Sequence, residues 1–309
     1  MYVNRFDRRR SFLGRSAATL ALGSLATMKS YAQGSRTDTL PPLHPTHTAL
    51  LADQPHVTAP AIDFEPGGYR YLPDVFQYSG GVASLRGYAM VRVRLRKMVT
   101  LQDGYQLIEA HLKSVGRPTT ALCSMELRSP RPFTEEGFKA FNSVYVKTLE
   151  RWGLYKDGKN PVARNNVCPE KNKPAETRLF AFTYTVKSQP GDVQGFQIAG
   201  SAEEPESIHT RATPHIVAPG DISPEGILAK AKWVIEEMQL RLKGLDLVWE
   251  SAAATDVYTV HDINPLISTE FVACGAAVAG VTWQYARPPV DNVDFEVGIR
   301  GASRDLILS

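Results

Sequence analysis

At 309 residues, with 43% apolar and 22% charged content, the chain has a globular composition and the length for one large domain or two ordinary ones. Its formal charge of +3 is concentrated at the N-terminus, where residues 1–32 hold six basic residues and one acid. The remainder is slightly acidic, which argues against nucleic acid as a partner. Within 1–32, Arg8-Arg9-Arg10-Ser11-Phe12-Leu13 precedes an apolar run from 17 to 28, and Ser30-Tyr31-Ala32 has the small-x-small form of a cleavage site. A basic start, a short apolar core and that site predict a signal peptide over 1–32, and the paired arginines give it the twin-arginine form. The mature chain is then expected to be periplasmic or secreted, with no membrane span after signal cleavage. Residues 33–65, with Pro41, Pro42, Pro45, Pro55 and Pro60, predict an extended linker or arm.

Regular patterning begins near Tyr69. Strands are predicted over 76–82 and 88–95, then a helix over 101–115 with Leu101, Tyr105, Ile108 and Leu112 on one face. A strand over 121–127 leads to a long helix over 134–152. Its apolar residues Phe138, Phe141, Tyr145, Leu149 and Trp152 recur at spacings of three and four, and Thr134 stands ready to cap it. Strands follow over 164–168 and 179–186. After the turn at Ser188-Gln-Pro-Gly-Asp192 the order begins again. A strand is expected over 195–202, a short pairing segment at 216–217, and a helix from Pro224 to about Lys243, capped by Ser223. A strand over 252–260, a short helix over 265–274, and strands over 282–287 and 293–299 complete the set. Leu112-Lys113 and Leu242-Lys243 precede equivalent strands, a duplication of pattern with little residue identity. Each half then forms a sheet with two helices packed on one face, an α+β layer.

Several residues are candidates for chemistry. Arg164, on a strand that follows an amphipathic helix, suits a carboxylate or phosphate site, because a guanidinium is a planar, permanently charged fork. The plain alternative is a surface arginine or an ion pair. Glu126 is either a catalytic carboxylate or a strand acid paired to an arginine. Glu296 is either a catalytic acid or a solvated strand carboxylate. Cys168 has no histidine near it in sequence, which favours a buried thiol over a nucleophile. Three isolated cysteines without a Cys-x-x-Cys pair and seven scattered histidines give no ligand spacing, so neither a metal nor a cofactor is expected.

Three segments carry a resemblance to the Rid family, the YjgF-like reactive-intermediate imine deaminases. They are Gln77-Tyr78-Ser79-Gly80-Gly81-Val82, Phe138-x-x-Phe141-Asn142-x-x-Tyr145 and Pro161-Val-Ala163-Arg164-Asn-Asn-Val167. In the second half, Asp256-Val-Tyr-Thr-Val-His-Asp262 and Ala286-Arg287-x-Pro289 resemble the family more weakly. The resemblance covers about 69–300 and is closest to the tandem, aminomuconate-type deaminases. It implies two tandem chorismate-mutase-like units, 66–190 and 191–303, in a homotrimer. It also implies hydrolytic deamination of small enamine or imine carboxylic acids, with Arg164 as the carboxylate clamp and Tyr78 lining the pocket. Asn166 and Cys168 stand near the position where the family often has cysteine, and are carried as binding candidates. Trp283 replaces the arginine in the second half, and the last strand of the first half lacks the usual acid. Glu296 can supply that acid, which splits one site between the halves. The competing implications are a chorismatase-like enzyme acting on an enol-ether dicarboxylate and a non-catalytic small-acid-binding trimer.

Overall fold

Three helices of the expected pattern begin at the residues that cap them. The computed structural model describes residues 56, 59–205 and 216–308; the expected signal peptide and the arm up to residue 55 lie outside the described residues. Helix α1 (Leu101–Ser114) follows Thr100, whose hydroxyl accepts from the Asp103 amide at 3.1 Å. Helix α2 (Glu135–Arg151) follows Thr134, which accepts from the Gly137 amide at 3.1 Å. Helix α3 (Pro224–Gly244) follows Ser223, which accepts from the Gly226 amide at 3.1 Å, with proline at the first helical position. Each cap satisfies a first-turn N–H that the helix itself cannot. Among the described residues no helix is long and apolar enough to cross a membrane.

Twelve strands are found among the described residues: β1 (Ile62–Phe64), β2 (Tyr69–Leu72), β3 (Gly81–Ser84), β4 (Tyr88–Thr100), β5 (Leu122–Arg128), β6 (Ala163–Pro169), β7 (Arg178–Lys187), β8 (Phe196–Ala202), β9 (Ala254–Thr259), β10 (Val281–Arg287), β11 (Glu296–Gly301) and β12 (Arg304–Leu308). One run of neighbours is β6-β5-β7-β4-β12, and the other is β1-β2-β3-β8-β11-β9-β10. They join where β10 pairs antiparallel with β6, Ala286 opposite Pro169 and Arg287 opposite Cys168. The first run has two parallel pairs, β5–β6 and β4–β12, and the second has one, β9–β10, among antiparallel ones. The chain is therefore α+β, built of two tandem units that are each a mixed sheet with helices on one face.

The units exchange their ends. Strands β1 to β3 precede the first unit's helices yet extend the second sheet, through β3 on β8. The last strand, β12, returns to lie parallel to β4 in the first sheet. The expected strand over 76–82 is instead a turn that carries Tyr78 into β3. Residues 216–217 form no strand; Val217 donates one backbone bond to Glu203 at 2.9 Å. The expected helix over 265–274 is only Asn264–Leu266 continuing through Ile267–Phe271.

Strand alternation sorts the side chains into three layers. Val91, Val93, Met125, Leu127 and Phe182 meet Ile108, Leu112, Tyr145 and Leu149 of α1 and α2. Ile198, Val257, Val297 and Ile299 meet Val234, Met238 and Leu242 of α3. Between the sheets lie Tyr69, Tyr71, Val82, Met90, Cys123, Ala163 and Ala199.

Glu126 belongs to this last side. Met125 and Leu127 point to the helices, so Glu126 points away from them. There it forms a buried two-pronged pair with Arg92, Nε to Oε1 at 2.5 Å and Nη2 to Oε2 at 2.8 Å. Burial alone would raise its pKa, but the hydrogen bonds and charge of Arg92 win and hold the carboxyl below the ordinary range. A depressed folded-state value stabilises the fold above the unfolded carboxylate pKa, about 4.3, and that contribution is lost as pH falls through the folded value. Arg92→Met is therefore expected to cost about 3–5 kcal/mol at neutral pH by leaving a buried carboxylate unpaired. Glu126→Gln should flatten the acid side of the stability curve. Denaturant midpoints between pH 3 and 7 check both; an unchanged acid slope in Glu126→Gln would show that the pair contributes nothing there.

Candidate active site

Arg164 is the centre of the site and is held there by aromatic rings. It lies on β6 opposite Met125 in the parallel register, on the side covered by α2. Its guanidinium carbon lies 4.7 Å from the ring centre of Tyr78, 4.9 Å from Tyr145, 5.3 Å from Phe138 and 5.8 Å from Phe141. Three of these rings come from α2, spaced three, four and seven residues apart along one stripe. Such rings attract a cation through their π faces and exclude water from it. One terminal nitrogen, Nη1, donates to Asn142 Oδ1 at 2.6 Å. The other, Nη2, is buried and has no hydrogen-bond partner among the described residues. No carboxylate among them forms an ion pair with Arg164.

Around Arg164 opens a cavity of about 350 Å³. The first unit contributes the 76–78 turn, Phe138, Lys139 and Asn142 of α2, and Arg164 and Asn166 of β6. The second contributes Gly200 and Ala202 of β8, Glu204, the loop residues Pro289, Val290 and Val293, and Glu296 at the head of β11. The volume suits a ligand of small-molecule size.

The polar groups on its walls have fixed orientations. Asn142 spends Oδ1 on Arg164, which leaves Nδ2 unpartnered; Asn166 accepts from Ser129 Oγ at 2.9 Å on Oδ1, which leaves its own Nδ2 unpartnered. With Arg164 Nη2, three buried donors around one cavity lack acceptors among the described residues. Buried donors are rarely left so. Opposite stands Glu296, 3% exposed, whose Oε1 accepts from Asn165 Nδ2 at 3.0 Å. The loop before Glu296 is pinned to the end of β8, where Glu203 accepts from the amides of Asp294 at 2.6 Å and Phe295 at 2.9 Å. Buried Lys230 of α3 reaches Glu203 at 3.2 Å and Asp294 at 2.5 Å.

Of the residues singled out in the sequence, Arg164, Tyr78, Asn166 and Glu296 line this one cavity. Glu126 and Cys168 do not. Glu126 is committed to Arg92, as described above. Cys168 is buried, and its thiol is pushed up to about 12 by burial and by the charge of Glu296, so it stays protonated at neutral pH. Trp283 takes the place on β10 that Arg164 takes on β6, each beside a buried apolar residue of the parallel neighbour, Val257 and Met125. It donates from its indole nitrogen to the Thr259 carbonyl at 3.0 Å and leaves the second unit without a matching guanidinium. Asn142, Asn165 and Gly200 were not singled out as site residues. A signal existed for Asn142: it is an amide on the otherwise apolar stripe of α2. Among the described residues no cluster of three or more histidines, cysteines or acids is placed to hold a metal ion.

The fold is that of a tandem α+β protein, and residues of both units line this cavity of small-molecule size. The chain belongs to the family described as 2-aminomuconate deaminase CnbZ, whose model matches residues 61–306. It is thus an enzyme of the aminomuconate-deaminase type. A 2-amino-5-chloromuconate deaminase of Comamonas testosteroni is 47% identical over 252 residues, covering 80% of this chain and 99% of that protein. Among solved structures, a chorismatase is 11% identical with a TM-score of 0.45, over 80% of each chain. The YjgF gene product of E. coli is 15% identical with a TM-score of 0.26, over 37% of this chain and 84% of that one.

Proposed function

We propose that the protein hydrolyses the C–N bond of a muconate-type dienamine dicarboxylate, with Arg164 clamping one carboxylate and Glu296 moving the protons. The observation that carries this reading is the set of three unpartnered buried donors, Arg164 Nη2, Asn142 Nδ2 and Asn166 Nδ2, on one cavity. An acceptor-rich, anionic group satisfies all three, and a carboxylate matches the guanidinium fork. Lys139, exposed at the same cavity one helical turn from Asn142, is suited to the second carboxylate. Family membership supports the aminomuconate class of substrate.

The chemistry closes with one carboxyl group. Protonated Glu296 gives its proton to the enamine carbon, and the nitrogen lone pair forms the C=N bond of an iminium. The resulting carboxylate takes a proton from water as the water oxygen bonds to the iminium carbon. That proton passes to the amine nitrogen of the carbinolamine. The C–N bond then breaks as C=O forms, and the hydroxyl proton returns to Glu296. One water is consumed and one ammonia leaves. A general acid–base of this kind contributes about 10²–10⁴-fold to a rate.

The purified protein incubated with 2-aminomuconate should release one ammonia per substrate, with solvent oxygen in the keto product. 2-Iminopropanoate, which has a single carboxylate, should react at least about tenfold less efficiently, because one charged contact is missing. Ammonia release from neither compound would overturn the reading. Pyruvate release from chorismate without ammonia would replace it with lyase or hydrolase chemistry on an enol ether.

A further inference from the structure

We infer that Asn165 is a positioning residue that sets the orientation and proton affinity of Glu296 from behind the cavity. The inference rests on the proposed role of Glu296. Asn165 follows Arg164 on β6, so the two side chains leave the strand on opposite faces. Arg164 enters the cavity; Asn165 does not line it and is 3% exposed on the other side. From there its Nδ2 donates to Glu296 Oε1 at 3.0 Å, across the boundary between the two units. One strand of the first unit therefore holds the clamp with one residue and the second unit's carboxyl with the next.

The space for this contact is made by two glycines. A Cβ on Gly200 of β8 would lie 2.5 Å from Asn165 Nδ2 and closer still to Glu296 Oε1. A Cβ on Gly298 of β11 would lie 3.2 Å from the same nitrogen. The amide is wedged where any larger residue on β8 would separate it from the carboxyl. An N–H donated to a carboxylate favours the ionised form, so this bond lowers the carboxyl's affinity for a proton.

The ionisable groups around Glu296 fit that role. Tyr258, its register partner on β9, and Cys168 of β6 are both kept protonated by burial, with the charge of Glu296 adding to it in each. Arg164, Glu204, Lys139 and Glu135 line the same cavity, and Asp294, two residues before it, is turned to Lys230. Asn165, a neutral group, donates to this carboxyl.

The test is the pH dependence of steady-state kinetics on 2-aminomuconate for Asn165→Ala and the isosteric Asn165→Asp. Because Glu296 enters the reaction protonated, loss of a hydrogen bond to its charged form should move the alkaline limb of kcat/KM, where activity falls with rising pH, upward by about one pH unit or more in Asn165→Ala. kcat should fall about tenfold while KM changes less than about twofold, since the Arg164 clamp is untouched. Asn165→Asp keeps the volume and adds a like charge, so its limb should move further in the same direction. Unmoved limbs in folded variants, or a rise in KM with kcat preserved, would overturn the inference. Glu296→Gln separates the two levels: if it stays active, the reading of Glu296 itself fails. If it is inactive while both Asn165 variants behave as the parent, only the positioning role fails.

Discussion

Arg164→Ala is expected to lower kcat/KM for a muconate-type substrate by about 10–150-fold, chiefly through KM. A hydrogen bond to a charged group contributes about 1.5–3 kcal/mol, and each 1.4 kcal/mol is a factor of ten. Binding of a non-reacting carboxylate is shared by ground and transition states, so its loss appears in KM more than in kcat. Arg164→Lys tests geometry apart from charge. It keeps a cation among the same four rings but loses the planar fork and the bond to Asn142, so it should recover only part of the loss. Truncation also leaves Asn142 Oδ1 without its donor and opens a gap between Tyr78 and Tyr145. Thermal melts with and without a dicarboxylate separate binding from folding: the ligand-induced rise in Tm should shrink even where the variant is folded. Unchanged KM and an unchanged ligand shift in Arg164→Ala would remove the clamp from the mechanism.

Arg164, and most of what surrounds it, was legible because the signals are local. Thr134 and Ser223 announce helix starts by their own side chains, and the stripe Phe138–Phe141–Tyr145–Leu149 needs only helical periodicity. The Ala163-Arg164 segment sits on a strand as its pattern suggests. What the sequence hid depends on pairing at long range. β1, β2 and β12 are three to five residues long; β1 and β2 reach the second sheet only through β3 on β8, and β12 pairs with β4 far back in the chain. Nothing near Ile62 or Leu308 indicates that the ends exchange sheets. Glu126 is an intermediate case. Its flanking Met125 and Leu127 already place it on the face opposite the helices, and only the partner, Arg92, required the fold. Asn165 was out of reach, since its meaning comes from glycines on two strands of the other unit.

Glu296→Gln is expected to lower kcat by about 10²–10⁴-fold with KM nearly unchanged, the loss typical of removing a general acid–base. The substitution is isosteric, and the amide oxygen of the new side chain can still accept from Asn165, so the wall of the cavity stays in place. What disappears is the group that delivers a proton to carbon and takes one from water. The two losses fall on different steps, and each leaves its own signature. If carbon protonation limits turnover, the solvent deuterium isotope effect of the parent should be large and that of the variant larger. If water addition limits it, added small carboxylates such as formate should partly restore the variant, because the cavity of about 350 Å³ leaves space for them beside the substrate. The alkaline limb of the parent pH profile, if it belongs to Glu296, should be absent from the variant. A Glu296→Gln enzyme that keeps parental kcat and the same alkaline limb would assign the proton transfers to another group, and among the described residues Glu204 and Glu135 are the other carboxylates on the same cavity.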